Sequence, residues 1–317
     1  MPPMPWSPSP RIRWPSVTTM MSTSRLGRFR RTSRRCSRSG TAAVAFGVLH
    51  GAAKVAGWPG SQTNVVMLGA GSAGIGVLEM IRQEMVEQGL SDSEAAERIW
   101  VVDIHGLLTG DRTDLSESQR RFAQPAARAQ GWSGTQLGDV VHHVDVGVLL
   151  GLSTAAGAFT EDIVRELAAK TERPIIFPLS NPTSRAEAHE LDEWTDGRAL
   201  LATGSPFAPI ERDGRLRRVA QCNNVYIFPA IGLAVTAARA TRVTDAMMRV
   251  AAKTLGDASP ALADPAEPLL PAWEDVPEVA TRIATAGAEQ AVKEGLASAN
   301  DDLSETVPKA RWTPEYR

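Results

Sequence analysis

The chain has 317 residues, 34 basic against 36 acidic, and 43% hydrophobic content, which suits a soluble chain of about two domains at roughly 150 residues each. A formal net charge of −2 offers no whole-chain attraction for nucleic acid or an anionic membrane, and no window reaches the roughly 18 uninterrupted apolar residues of a spanning helix. Two cysteines, Cys36 and Cys222, and five histidines without a ligand-spaced pair give neither a disulfide framework nor a zinc site, and they point to a reducing compartment, the cytoplasm.

The average conceals an asymmetric start: no Asp or Glu precedes Glu79, and Met1 to Ser39 is rich in Arg, Ser and Pro. That segment has too few spaced apolar residues to bury a face, so it reads as a disordered leader. A transit peptide or a basic nucleic-acid arm has the same composition; the plainer alternative is text that was never selected. From Gly40 onward short β-branched runs alternate with longer helical stretches, the signature of an α/β, Rossmann-like, doubly wound and mainly parallel sheet. The strands expected are Val65 to Leu68, Ile99 to Val102, Val148 to Leu152, Ile175 to Leu179, Leu200 to Ala202 and Val225 to Phe228, each nearly continuous, as strands buried on both faces are.

Between the first two strands, Ile75, Leu78, Ile81 and Met85 share one side of a helix at spacings near 3.6. Thr160 before Glu161 and Asp162 reads as an N-cap, and Ser184 with Glu187 as a capping box. Asp213-Gly214 reads as a hairpin turn between the fifth and sixth strands. A Pro-rich connector follows Leu255 and runs to Pro277, before a last helix carrying Val279, Ile283 and Val292 and a Trp312/Tyr316 tail. The expected organisation is a leader, 1–39, a dinucleotide-binding domain, 40–275, and a C-terminal helix with a tail packing on the body, 276–317.

The first chemical motif, Gly69-Ala-Gly71-Ser72-Ala73-Gly74, lies between a strand and a helix, the context that a dinucleotide fingerprint requires. Gly69 permits the tight turn, Gly71 lets backbone approach a pyrophosphate, and Gly74 lets the helix lie close to the sheet with its first amides facing the phosphate charge. An ordinary glycine turn is the bland alternative. Asp103 closes the second strand, where a carboxylate accepts hydrogen bonds from an adenosine ribose and repels a 2′-phosphate. Its distance from the turn exceeds the usual ~20 residues, because Gln88 to Glu97 forms an acidic insertion; the alternative is a strand-end Asp capping the next turn.

Three more clusters sit at strand ends: Ser153 to Gly157, Ser180-Asn181-Pro182-Thr183, and Gln221-Cys-Asn223-Asn224. Small residues permit close backbone approach, and Asn offers donors and acceptors to a nicotinamide or a carboxylate. Taken singly, Asn181 is a turn residue before proline and Asn223/Asn224 a loop into the final strand; together they mark one rim. His142 and His143 belong to a solvated helix face, and Met247 and Met248 to the core.

These residues carry a resemblance. GTAAV at Gly40, LGAGSAGIG at Leu68, IWVVDIHGLLTG at Ile99, RPIIFPLSNPTSRAEA at Arg173, GRALLATGSPFAP at Gly197, QCNNVYIFPAIGLAV at Gln221 and PAWEDVPEVATRIA at Pro271 are similar to the nucleotide-binding half of malic enzymes. The resemblance implies oxidative decarboxylation of L-malate to pyruvate and CO2 with NAD, or alternatively NADP, and a divalent Mg or Mn ion held by carboxylates. It implies that Gly69, Gly71, Ser72, Ala73, Gly74, Asp103, Ser153 and Asn181 bind the dinucleotide, and that Asn181, Asn223 and Asn224 hold malate. Gln119 falls where NADP-preferring relatives tend to carry Lys, which with Asp103 favours NAD. Malate and pyruvate are then the ligands, and family members are homo-oligomers.

The departures are as informative. The family's Tyr acid, Lys base and Glu-Asp metal pair have no counterpart in this sequence, and Cys36-Ser37-Arg38-Ser39 stands where the family reads Asp-Asp-Ile-Gln with a third metal carboxylate. No catalytic residue and no metal ligand carries over. A break inside a motif, with unrelated Arg-rich text upstream, is the mark of a truncated or wrongly framed gene product. Two readings follow: a malic enzyme by descent, and a catalytically silent NAD-binding module or subunit. A third, a Rossmann dehydrogenase acting on amino acids, lacks a base in a recognisable setting.

Overall fold

The computed structural model describes residues 29–58, 60–153, 157–180, 188–297 and 302–311, with backbone alone for 29–39 and 61. Contacts divide the chain into Met1–Ser37 and Arg38–Arg317; of the first, the described part is the opening of a helix, α1, Phe29–Ala56. Regular backbone thus begins inside the stretch to Ser39 that composition sets aside. Among the described residues no helix is long and apolar enough to cross a membrane.

In chain order there follow β1, Asn64–Leu68, α2, Ser72–Glu87, α3, Asp92–Glu97, β2, Ile99–Asp103, and a short β3, Gly106–Leu107. Next come α4, Glu117–Arg120, α5, Leu137–His143, β4, Val146–Gly151, α6, Glu161–Lys170, β5, Ile175–Pro178, α7, Ala188–Trp194, and β6, Leu200–Thr203. A ribbon of β7, Ile210–Arg212, and β8, Arg215–Arg217, precedes β9, Ala220–Gln221, and four helices close the chain: α8, Phe228–Ala238, α9, Asp245–Asp257, α10, Val276–Lys293, and α11, Leu303–Ala310.

The main sheet has the order β3-β2-β1-β4-β5-β6-β9. All its pairings are parallel except β3 on β2. Because side chains alternate across a strand, Val65 and Met67 join Val101, Leu150 and Phe177 in one core with α1, α2, α8, α9 and α10. Val66 joins Val102, Leu149 and Ile176 in a second core with Val140 of α5, Leu167 of α6 and Leu191 of α7. Helices therefore cover both faces, which is why the strands read as unbroken apolar runs. Met247 and Met248 are buried, as expected, while His142 and His143 are exposed on α5.

One strand expectation fails. Val225 to Phe228 is not a strand: Asn224–Tyr226 forms a 3-10 turn, and Pro229 sits in the first turn of α8, which buries Ala230, Ile231, Ala234 and Ala238. A short apolar run that belongs to a buried helix has the same composition as a strand. The sixth parallel strand is instead β9, only two residues long, with Ala202 opposite Ala220 and Thr203 opposite Gln221. The Asp213-Gly214 turn forms as read, with φ of 52° and 72°, but it joins β7 to β8 in a sheet of their own. Thr160 is the N-cap of α6 without a side-chain hydrogen bond, and Ser91 with Glu94 builds a complete capping box on the insertion helix α3. The Ser184/Glu187 box, Asn181 and the Trp312/Tyr316 tail lie outside the described residues.

Candidate functional site

The chain leaves β1 through α2 to β2 on one side and returns later to β4 on the other. That reversal opens a crevice beyond the strand C-termini, the place where open α/β sheets bind ligands. Gly69 lies in it. Its N–H donates to Val102 O at 2.8 Å and its φ is +112°, a backbone state that side chains with a Cβ rarely adopt. A Cβ there would stand 2.6 Å from the Leu152 carbonyl carbon and 3.0 Å from Ser153 N, so the turn also lets β1 and β4 close upon each other. At Gly74 a Cβ would come within 2.5 Å of Gly69 O, which fixes how tightly α2 starts on the turn.

Gly71 differs: a Cβ there meets nothing within 4 Å. It is the N-cap of the 16-residue α2 and supplies no side-chain hydrogen bond, whereas the shorter α3 and α4 both have complete capping boxes. The first amides of a helix have no intrahelical acceptor. Those of Ser72, Ala73 and Gly74 therefore lack one at the C-terminal end of β1, where the positive end of the helix dipole lies. An anionic group such as a pyrophosphate fits this cradle.

Asp103 ends β2 beside it. Its Oδ1 accepts from His105 N at 2.8 Å and from Arg112 Nη1 at 3.0 Å, and its Oδ2 accepts from Arg112 Nη2 at 2.8 Å. The turn-capping alternative is thus part of its role, and the carboxylate is also paired. Gln119, in α4, donates from Nε2 to Ala70 O at 3.1 Å while its Oε1 accepts from Ser116 N at 2.8 Å. It braces the glycine turn from outside.

Further along the rim, Ser153 N donates to Ser180 Oγ at 3.1 Å, and Leu179 N donates to Gly151 O at 2.8 Å, stitching the ends of β4 and β5. Asn223 follows β9, four strand spacings of ~4.8 Å, or roughly 19 Å, from the glycine turn. Its Oδ1 accepts from Val225 N at 3.1 Å, so its side-chain oxygen caps the 3-10 turn; Asn224 is the first residue of that turn and is half-buried. Burial pushes the neighbouring Cys222 thiol up to about 12. Tyr226 is buried, donates to Pro271 O at 2.9 Å and stacks on Trp273.

Residues 39–292 match the family model described as malic enzyme, NAD binding domain. The chain belongs to the malic enzyme family. Two curated relatives are NAD-dependent malic enzymes: that of Acinetobacter baylyi, 46% identical over 286 residues, and that of Pseudomonas syringae pv. syringae, 45% identical over 287 residues. Each alignment covers 88% of this chain but 50% and 51% of those proteins, so the chain spans about half the length of the malic enzymes it matches. Among solved structures, malic enzyme from Pyrococcus horikoshii has a TM-score of 0.66 at 25% identity, covering 86% of this chain and 57% of that one. Malic enzyme from Entamoeba histolytica, with a TM-score of 0.68 at 23% identity and coverages of 86% and 51%, shares the fold.

Within this domain Gly69, Gly71, Ser72, Ala73 and Gly74 follow β1, Asp103 ends β2 and Ser153 follows β4, at the C-terminal ends of three adjacent strands, and Asn223 and Asn224 follow β9 in the same sheet. Sequence reasoning missed Arg112 and Asp114, which face each other and Asp103 across a short loop. The charged string Asp111-Arg112-Thr113-Asp114 was visible, but nothing in its spacing says that it folds back on the end of β2. Among the described residues no group of three or more His, Cys, Asp or Glu is placed to hold a metal ion.

Proposed function

We propose that this domain binds NAD in the β1/β4 crevice and serves the oxidative decarboxylation of L-malate to pyruvate and CO2. The observation that carries the reading is the uncapped start of α2 at the sheet's reversal point, with Asp103 at the tip of the next strand. The amides of Ser72, Ala73 and Gly74 hold the pyrophosphate, and Gly71 leaves room for it. Asp103 accepts from the adenosine ribose through Oδ2, which has one lone-pair site beyond the one that Arg112 uses. By the family resemblance Ser153 and Asn181 serve the nicotinamide end of the dinucleotide, and Asn181, Asn223 and Asn224 serve malate. Bound NAD supplies the hydride acceptor for C2 of malate.

The divalent ion that the resemblance implies finds no ligand set among the described residues, and no step is assigned to it. The described tyrosine, Tyr226, has its hydroxyl buried against Pro271, which does not suit a proton donor to an enolate. The buried Tyr226 hydroxyl supports a second element of the reading: the chain by itself binds nucleotide and turns over malate negligibly. Malate and pyruvate are its small-molecule ligands, a homo-oligomer its assembly and the cytoplasm its compartment. Calorimetric titration with NAD, beside malate-dependent NAD reduction in the presence of Mn, tests both parts. Binding with negligible turnover is expected; robust turnover overturns the silent reading, and absence of binding by folded protein overturns the whole.

A further inference from the structure

Arg112 uses every donor it has. A guanidinium carries five N–H groups in a fixed fork. Here Nε donates to Asp114 Oδ1 at 3.0 Å, and Nη2 donates to Asp114 Oδ2 at 2.7 Å and to Asp103 Oδ2 at 2.8 Å. Nη1 donates to Asp103 Oδ1 at 3.0 Å and to the carbonyls of Gly106 and Leu107 at 3.3 and 3.4 Å. The cation is therefore enclosed by two carboxylates and backbone, and one positive charge stands against two negative ones. The two carboxylates are not equivalent. Asp103 belongs to the end of β2 and its side chain is 18% exposed, while Asp114 is on the outer loop and 52% exposed.

Resting on the NAD reading above, we infer that Asp114 is a specificity-determining residue: it occupies the phosphate-binding edge of Arg112 and thereby excludes a 2′-phosphorylated nucleotide. The edge it covers, Nε with Nη2, is the fork that pairs bidentately with carboxylate or phosphate. An arginine beside the strand-end acid is the group that accommodates a 2′-phosphate in this fold. The chain has that arginine but spends it on an internal counter-charge. Gln119 contributes no charge from across the turn, where it is tied to Ala70. Asp114 is held well below the usual carboxylate range, at about 2, by its hydrogen bonds to Arg112, so it remains a charged competitor at any pH near neutrality. Removing it frees two donors without disturbing those that hold Asp103.

Affinities of NAD and NADP are measured by calorimetry on the folded full chain, on Asp114→Ala, on Asp114→Asn, which keeps the side-chain size, and on Asp114→Ala combined with Arg112→Gln. The expected result is NAD binding nearly unchanged in both single variants. NADP binding should strengthen about tenfold in Asp114→Ala, the worth of ~1.4 kcal/mol, with a smaller gain in Asp114→Asn. The gain should weaken with added salt and vanish in the double variant. An NADP/NAD ratio unchanged in both single variants, or a gain that survives loss of Arg112, overturns the inference while leaving the NAD site standing. Failure of the folded parent chain to bind either nucleotide removes the underlying reading, and the inference with it.

Discussion

Gly69 and Gly71 are two residues apart and chemically identical, yet they should respond oppositely to alanine. At Gly69 the φ of +112° is outside the ordinary range of L-residues, and the new methyl would press on the Leu152 carbonyl carbon at 2.6 Å. A sparsely populated backbone state costs about 1–3 kcal/mol, and an overpacked methyl against backbone adds about 1–3 kcal/mol. Gly69→Ala should therefore lose roughly 2–6 kcal/mol, a large share of the ~5–15 kcal/mol that stabilises a typical domain. At Gly71 φ is −74°, ψ is 172° and nothing lies within 4 Å of the added atom, so Gly71→Ala should change stability by less than about 1 kcal/mol. NAD affinity should nevertheless fall steeply, because that methyl stands where the pyrophosphate approaches. Urea unfolding gives the first quantity from the midpoint at unchanged slope, and calorimetry the second. A loss below about 0.5 kcal/mol at Gly69, or unimpaired NAD binding by Gly71→Ala, refutes the reasoning.

Two further outcomes concern titration. His50 is held below its ordinary 6.5 by burial first and by Lys54 second, against the opposing pull of Glu84 and Asp257. The unfolded chain therefore takes up this proton at a higher pH than the folded one, so stability is full above about 6.5 and declines as pH falls below it. The difference in melting temperature between wild type and His50→Gln, followed from pH 7.5 to pH 5, should shrink on the acid side; a constant difference contradicts this origin. The Cys222 thiol, raised from 9.0 to about 12 by burial, should resist iodoacetamide at pH 8 in the folded chain and react readily in urea. Peptide mapping separates it from Cys36, and equal rates in both states would be inconsistent with shielding of this half-buried side chain.

The parts of the fold legible in the sequence are those in which local pattern and burial agree. Val65 to Leu68 and Ile99 to Val102 are apolar on both sides because cores lie on both sides, and the Gly69 turn announces itself because only glycine tolerates its backbone. Val225 to Phe228 misled because four apolar residues fit a strand and a buried helix equally; the Asn223 cap and Pro229 decide for the helix. β9 escaped because its two residues carry no periodicity at all. In the site, the glycines and Asp103 were legible from context. The Arg112 clamp was not, since an ion pair between residues nine apart depends on how the loop after β3 returns. Asn223 showed its residue type but not that its oxygen is committed to a turn.

The claim on which everything else depends is that a dinucleotide meets the first amides of α2. Amide hydrogen exchange of the folded chain with and without NAD reads this residue by residue. Slowed exchange at Ser72, Ala73, Gly74 and the end of β2 at Asp103, continuing along the same rim to Ser153, is the predicted result. Unchanged exchange at those amides under saturating NAD, or protection appearing on another surface, would contradict it.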